Sequence, residues 1–127
     1  MALLVDTHAF IWFAEGDDRL GAGARKAIEE SNGDWWLSAA SVWEMAIKLS
    51  TRRLKLSAPA DEYVRDKVQR GLRVLSVEWP HAAAVERLPF HHKDPFDRLI
   101  IAQAQAERLA VVTNDPLFRQ YGVTVVW

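Results

Sequence analysis

The segment ALLVDTHAFIW, residues 2–12, joins a short apolar strand to the start of a helix through a single acid. Ala2 to Val5 has the aliphatic composition of a buried strand, and Asp6 stands between it and a helical stretch from His8 to Ala14. A strand without polar alternation that leads directly into a helix is typical of a parallel sheet. The segment therefore predicts an α/β fold with an acid at the carboxyl end of its first strand.

The same alternation of short apolar runs and longer helical stretches continues along the whole chain. Strands are predicted at Ala2 to Val5, Trp35 to Leu37, Arg73 to Val77, Ala110 to Thr113 and Val123 to Val126. Helices are predicted at His8 to Ala14, Ala22 to Ser31, Ala39 to Ser50, Ala60 to Arg70, Pro80 to Leu88, Pro95 to Arg108 and Pro116 to Tyr121. This order predicts a central, mainly parallel sheet of about five strands, covered by helices on both faces.

Length and composition restrict the classes of protein that fit. With 127 residues, 50% of them hydrophobic, the chain fits one globular domain over residues 1–127. No stretch approaches the roughly 20 apolar residues of a membrane span, and MALLVD lacks the basic region of a signal peptide. We therefore expect a cytoplasmic protein that does not enter the membrane.

The inventory of side chains limits the available chemistry. Without cysteine there is neither a disulfide nor a thiolate metal site, so carboxylates and four histidines are the candidate metal ligands. A net charge of −1 gives no overall electrostatic footprint for nucleic acid, so any such binding requires a local basic patch.

Acids follow several of the predicted strands, at the sheet edge where open parallel sheets bind their ligands. Asp6 follows the first strand, and Asn114 and Asp115 follow the fourth. The second strand ends at Ser38, which opens a helix that carries Glu44. These three acids are expected to lie at the same edge of the sheet.

Each of these acids also has a structural alternative. Asp6 and Asp115 could be N-caps, the latter because Pro116 suits the first helical position. Glu44 could form an exposed ion pair with Lys48, four residues along the same helix. That helix is apolar on nearly all sides, however, which favours a Glu44 side chain that projects into a confined space rather than into open solvent.

The segment HHKDPFDRLIIAQA, residues 91–104, contains two acids that we interpret differently. Asp94 precedes Pro95 and is placed as the N-cap of a helix, which leaves Asp97 at the third helical position. Ile100 and Ile101 lie one turn further on, so Asp97 is near the buried face, and aspartate is a poor capping-box residue. We predict a structural role for Asp94 and a functional role for Asp97, and leave open whether Asp94 also assists the chemistry.

Converging carboxylates require a compensating charge. At a separation of about 4 Å, each pair of anions costs roughly 4 kcal/mol at an effective dielectric constant near 20. Raised pKa values could neutralise them, but a hard divalent cation is the simpler solution, since Mg²⁺ takes oxygen ligands and engages phosphates. Such a site can activate water for attack on a phosphodiester.

Four blocks of this sequence together resemble the PIN-domain ribonucleases, in particular the VapC-like toxins of prokaryotic toxin–antitoxin pairs. The blocks are LLVDTHAFIW, SAASVWEMAIK, HHKDPFDRLIIAQA and VVTNDPLFRQYGVTVVW, which occur in family order over nearly the whole chain. The resemblance maps the acidic pocket of the family onto four residues of this chain: Asp6, Glu44, Asp97 and Asp115.

The resemblance implies a three-layer α/β/α fold and a metal-dependent endoribonuclease that uses Mg²⁺ or Mn²⁺. It also implies a homodimer and a cognate VapB-like antitoxin that inserts a segment into or beside the site. Asp6 and Asp97 are then the expected direct ligands, while Glu44 and Asp115 act through water or at a second metal position. Hydrogen-bond support for these carboxylates is expected from Thr7, Thr113 and Asn114.

Two other classes of function compete with this interpretation. A non-catalytic protein-binding module would keep the acidic pocket only for docking, and its binding would not depend on metal. A phospho-accepting receiver should have an acidic pair after the first strand and an aspartyl phosphatase a D-x-D motif. Asp6 is instead followed by Thr7 and His8, which disfavours both.

The basic and aromatic residues leave further alternatives open. An RNA-binding rim is expected from Lys48, Arg52, Arg53, Lys55 and Arg98, although LSTRRLKLS could equally be a solvated connection. His91 and His92 are predicted to lie in a polar loop, without the helical spacing of a zinc site. The six tryptophans could stack on bases, but core packing or a dimer face explains most of them.

Overall fold

The computed structural model describes all residues 1–127 and has a five-stranded sheet at its centre. Its strands are β1 (Leu3–Val5), β2 (Trp35–Ser38), β3 (Arg73–Leu75), β4 (Ala110–Val112) and β5 (Val125–Val126). They lie in the order β3-β2-β1-β4-β5, and all four pairings are parallel. The predicted parallel sheet of about five strands is confirmed.

Six α-helices and two 3₁₀ helices connect the strands. The α-helices are α1 (Thr7–Glu15), α2 (Ala22–Glu30), α3 (Ala39–Ser50), α4 (Ala60–Gln69), α5 (Trp79–Ala84) and α6 (Pro95–Glu107). The predicted helix from Pro80 to Leu88 is divided, since α5 gives way to a 3₁₀ helix at Val85–Arg87. The segment Pro116–Tyr121 is also 3₁₀ rather than α-helical.

Polar side chains cap the N-termini of the helices that surround the carboxyl edge of the sheet. Asp6 caps α1, Ser38 caps α3, Asp94 caps α6 and Asp115 caps the 3₁₀ helix at Pro116–Tyr121. Each of these side chains accepts a hydrogen bond from a backbone N–H of the first turn that has no partner within the helix. The caps fix the point at which each helix leaves the sheet.

Two apolar clusters cover the two faces of the sheet. Within β1, Leu3 and Val5 belong to one cluster and Leu4 to the other, because successive side chains of a strand point to opposite faces. Phe10 and Met45 pack in the first cluster, and Ile100, Ile101 and Phe118 in the second. The arrangement has the three layers α/β/α that were expected.

The tryptophans are divided between packing positions and exposed positions. Trp12 contacts Trp127 edge to face, with ring centroids 5.9 Å apart, beside the edge strand β5. Trp43 and Trp79 are 61% and 81% exposed, so they are not part of the core. None of the helices has the length and apolar character that crossing a membrane would require.

Candidate active site

The site lies where β1 and β4 end side by side at the carboxyl edge of the sheet. Val5 is in register with Val112, and the N–H of Asp6 donates to the Val112 carbonyl at 3.0 Å. The chain runs from β1 to β2 and β3 on one side, and then returns to β4 on the other side of β1. Such a reversal of strand order opens a crevice at this edge, where ligands of open α/β sheets bind.

Asp6 is both a helix cap and a buried acid of the site. Its side chain is 6% exposed and accepts a hydrogen bond from the Ala9 N–H at 2.8 Å. Burial raises the pKa of Asp6 above its ordinary value, while hydrogen bonds from Thr113 and Ala9 oppose the rise. The capping and the functional interpretations of Asp6 are therefore compatible, since one carboxylate oxygen is enough for the cap.

Glu44 projects inward from the second turn of α3. It is 4% exposed, so the alternative of an exposed surface pair is wrong. The Thr7 hydroxyl donates to its Oε1 at 2.7 Å, and the Lys48 ammonium lies 2.6 Å from its Oε2. The pair with Lys48 does form, but on a carboxylate that faces the crevice.

The two acids of α6 have different environments. Asp94 accepts hydrogen bonds from the N–H groups of Phe96 and Asp97, at 2.8 and 3.2 Å, which confirms its role as the cap. The pKa of Asp97 is raised to about 8, first by burial and then by the charges of Asp94, Asp6, Glu44 and Asp115. Asp97 therefore lies within electrostatic reach of the other three predicted acids, and Asp94 contributes to its field.

Asp115 is the fourth acid of the group and lies just after the carboxyl end of β4. Its Oδ1 accepts the Leu117 N–H at 2.9 Å, and its own N–H donates to the Thr113 hydroxyl at 3.1 Å. Its Oδ2 is turned towards His92, whose Nε2 lies 2.7 Å away. One oxygen of Asp115 therefore caps the 3₁₀ helix, and the other belongs to the acidic group.

His92 is the residue that sequence reasoning missed. It was predicted to lie in a polar loop, but it is only 8% exposed and its Nε2 contacts both Asp97 and Asp115. Asp115 is 23 residues away along the chain, so no local pattern reveals this contact. The one available signal is position, since His92 comes two residues before a capping aspartate.

The predicted supporting residues are only partly in contact with the acids. Thr7 binds Glu44, and Thr113 contacts both Asp6 and the backbone of Asp115. Asn114 is exposed, and its side chain makes no hydrogen bond to any of the acids. Its predicted role in holding the carboxylates is therefore not supported by the geometry.

The predicted basic rim is smaller than expected. Arg52 and Arg53 are exposed just beyond the end of α3, as is Lys55, whereas Lys48 is paired with Glu44. Arg98 is only 5% exposed, and its guanidinium donates to the backbone carbonyls of Val85, Leu88, Pro89 and His92. Its assignment to an RNA-binding rim is wrong, because Arg98 faces inward and fastens the loop that precedes α6.

The arrangement can hold a hard cation. It presents the four carboxylates of Asp6, Glu44, Asp97 and Asp115, and Lys48 forms an ion pair with Glu44. Carboxylate oxygens are the preferred ligands of Mg²⁺ and Mn²⁺. Burial raises the pKa of Asp97 first and the charges of the neighbouring acids raise it further, and a cation would offset the part that comes from those charges.

Comparison with known proteins agrees with this geometry. The family model described as PIN domain matches residues 3–123. The chain belongs to the PIN-domain family. Ribonuclease VapC22 of Mycobacterium tuberculosis is a relative with 28% identity over 120 residues, which cover 94% of this chain and 91% of that protein.

Solved structures of other proteins share the fold. One is VapBC2 from Rickettsia felis bound to a promoter DNA fragment, with a TM-score of 0.72, 15% identity, and coverage of 98% of this chain and 97% of that one. Another is the sarcin–ricin loop cleaving toxin VapC20 of Mycobacterium tuberculosis, with a TM-score of 0.72, 19% identity and 97% coverage of both chains. At these identities the likeness establishes the three-layer architecture.

Proposed function

We propose that this PIN-domain protein is a metal-dependent endoribonuclease and the toxin of a toxin–antitoxin pair. The observation that carries the proposal is the group that Asp97 forms with Asp6, Glu44 and Asp115, at the crevice between β1 and β4. Membership of the PIN-domain family and the relative named as a ribonuclease support RNA as the substrate. A structural neighbour described as a toxin–antitoxin complex, from Klebsiella pneumoniae, supports an antitoxin as partner.

Mg²⁺ or Mn²⁺ is the cofactor that the donor set fits. Asp6 and Asp97 are proposed as direct ligands, and Glu44 and Asp115 as ligands through water or at a second position. When bound, the cation would lower the pKa of a coordinated water and stabilise negative charge on the phosphodiester. The remaining contributions come from the side chains of the chain itself.

These side chains hold the acids in place before substrate arrives. Asp6 and Asp115 each use one oxygen to cap a helix, which fixes the direction of the other oxygen. Thr7 orients Glu44, and Lys48 offsets part of the negative charge that would repel an RNA phosphate. Arg52 and Arg53 are exposed and available to bind the backbone of RNA outside the crevice.

The assembly is also part of the proposal. We infer one domain over residues 1–127 that acts in the cytoplasm as a homodimer until a cognate antitoxin binds beside the acids. Because that binding would cover the crevice, inhibition by the antitoxin and access of RNA would exclude each other.

Cleavage of RNA by the purified protein tests the proposal. Wild type should cleave with Mg²⁺ or Mn²⁺ and stop in EDTA, and Asp6→Asn or Asp97→Asn should reduce the rate by at least about a hundredfold while circular dichroism remains native. Asp66→Asn is the matched control, because Asp66 lies on α4 and pairs with Lys67 and Arg70. Full cleavage by both site variants would contradict the assignment. A native protein that cleaves no RNA and binds its partner independently of metal would favour the docking module instead.

A further inference from the structure

The ring of His92 occupies a position between two of the four acids. Its Nε2 lies 3.2 Å from Asp97 Oδ2 and 2.7 Å from Asp115 Oδ2. These two acids come from different elements, since Asp97 is in the first turn of α6 and Asp115 follows β4. The metal-binding role proposed for the four carboxylates does not by itself require a histidine here.

The opposite side of the ring identifies which nitrogen carries the proton. The backbone N–H of Asp94 donates to His92 Nδ1 at 3.1 Å. A backbone N–H can only donate, so Nδ1 must be the unprotonated nitrogen. The single ring proton is then on Nε2, where it faces the carboxylate oxygens of Asp97 and Asp115.

The rest of His92 is held at several other points. Its own N–H donates to the Tyr121 hydroxyl at 2.7 Å, and its carbonyl accepts from Arg98 at 3.2 Å. The ring packs edge to face on Phe118, with centroids 5.8 Å apart. A buried ring with these contacts has little freedom to rotate, so its Nε2–H has a fixed direction.

We propose that His92 is a positioning residue that bridges Asp97 and Asp115 through a neutral Nε2–H donor. The bridge engages one oxygen of each carboxylate and so fixes the spacing between α6 and the segment after β4. For Asp97 it leaves the second oxygen available to a cation. The benefit of this spacing to metal binding rests on the proposed function, whereas the tautomer and the bridge do not.

A different role has to be distinguished from this one. His92 Nε2 and oxygens of Asp97 and Asp115 lie within 4.8 Å of one another, which is close enough for all three to ligate a metal. A metal on Nε2 would move the ring proton to Nδ1, directly opposite the N–H of Asp94. The geometry therefore assigns His92 as a donor to two carboxylates and not as a ligand.

Nitrogen NMR of the imidazole tests the tautomer directly. In metal-free wild-type protein, the ¹⁵N shifts of His92 should report a protonated Nε2 and an unprotonated Nδ1, and diamagnetic Mg²⁺ should leave this pattern unchanged. A protonated Nδ1 in the free protein, or a change of tautomer when Mg²⁺ is added, would overturn the proposal. This result is independent of whether the protein cleaves RNA, so failure of the ribonuclease assignment would be recognised separately.

Two substitutions separate the bridge from the local fold. In His92→Asn the side-chain oxygen replaces Nδ1 as acceptor for Asp94, but the amide cannot reach the acids. In His92→Gln the amide nitrogen can reach the position of Nε2 and restore a donor. His91→Asn is the matched control, because His91 is exposed and packs on Tyr121 without contact to the acids.

Mn²⁺ affinity is the quantity to compare, measured by calorimetry on natively folded variants. His92→Asn should weaken binding by about 10–100-fold, the usual effect of losing a group that orients metal ligands. His92→Gln should remain within about threefold of wild type, and His91→Asn should be unchanged. Wild-type affinity in His92→Asn, or an equal loss in His92→Gln, would contradict a positioning role.

Discussion

Asp94 and Asp97 stand three residues apart, yet their environments give them different chemistry. Asp94 accepts hydrogen bonds from two backbone N–H groups of the first turn of α6. Asp97 is partly buried among like charges, and its pKa is raised from 3.8 to about 8, first by burial and then by those charges. Asp97 differs because it loses solvent contact and lies close to acids from distant parts of the chain, Asp6, Glu44 and Asp115.

Stability of the metal-free protein should fall as the pH rises through the window set by Asp97. Between about pH 4 and pH 8 the folded state retains a proton that the unfolded state releases, so the unfolded state gains relative stability with rising pH. Urea unfolding in EDTA should therefore give a free energy of unfolding lower at pH 8 than at pH 5, by on the order of 2 kcal/mol.

Asp97→Asn should remove most of this pH dependence, since an amide does not ionise. A residual slope of the same sign should remain, because the pKa of Asp6 is also raised. Asp66→Asn serves as the control, since the pKa of Asp66 is lowered by its contacts with Lys67 and Arg70. The interpretation fails if Asp97→Asn keeps the full pH dependence of wild type.

The helices α3 and α6 both begin at a capping side chain and carry Glu44 in the second turn and Asp97 in the first, which gives the site a rigid frame. Glu44 lies on α3 one turn before Lys48, and Asp97 lies on α6 one residue before Arg98. The two cations do different work. Lys48 neutralises an acid of the site, while Arg98 fastens α6 to the loop before it.

Removing the ammonium of Lys48 should destabilise the metal-free protein. Lys48→Met leaves Glu44 buried without its counterion, and we expect a loss of about 1–3 kcal/mol in the free energy of unfolding. Lys67→Met removes the lysine from a pair whose acid, Asp66, is much more exposed than Glu44, so it should cost less. Chemical denaturation in EDTA would compare them, and equal losses would speak against a special role for the Glu44 pair.

Substitution of Arg98 should affect folding rather than RNA binding. Arg98→Met leaves four backbone carbonyls without their donor and should cost at least about 3 kcal/mol of stability.

Arg52→Ala combined with Arg53→Ala should leave stability nearly unchanged, but weaken RNA binding and reduce its dependence on salt. Denaturation curves and a salt titration of binding measure the two effects, and native stability of Arg98→Met would contradict this division.

The whole molecule is organised around the reversal of strand order beside β1. Because β4 returns to the opposite side of β1 from β2, residues from both ends of the chain meet at one edge. The C-terminal strand β5 then closes this half of the sheet, and Trp127 packs against the start of α2. Assembly of the site therefore depends on long-range packing between distant segments.

Gly23→Ala tests the packing of the C-terminus on α2. A Cβ at Gly23 would lie 2.5 Å from the Trp127 carbonyl oxygen, so α2 and the C-terminus would have to separate. We expect a net loss on the order of 1 kcal/mol in thermal or chemical denaturation, even though alanine favours a helix by about 1 kcal/mol. In a chain that lacks Trp127 the same substitution should become stabilising, and a loss of equal size there would exclude the clash as the cause.

Local pattern was sufficient for the order of the elements and for whether each is a strand or helical. Short, mostly apolar runs identify β1 to β5, with helical spacing after the first four, and an aspartate before a proline identifies the starts of α6 and of the 3₁₀ helix after β4. The division of the predicted helix Pro80 to Leu88 could not be predicted from local pattern, because Arg98 of α6 stabilises the turn at Val85 by donating to its carbonyl. Asp6, Asp97 and Asp115 follow the same rule of acids at strand ends and helix starts. Glu44, in the second turn of α3, is indicated instead by the apolar surroundings of its helix and by the family resemblance.

Contacts between distant residues decided the rest. Arg98 and His92 have the composition of surface and loop residues, but the fold surrounds Arg98 with carbonyls and places His92 between Asp97 and Asp115. Lys48 has the composition of an RNA-binding residue, but in the fold it is the counterion of the buried Glu44. Periodicity and capping act over a few residues and can be read along the chain. Burial and electrostatic pairing depend on which segments meet in space, and only the folded structure determines them.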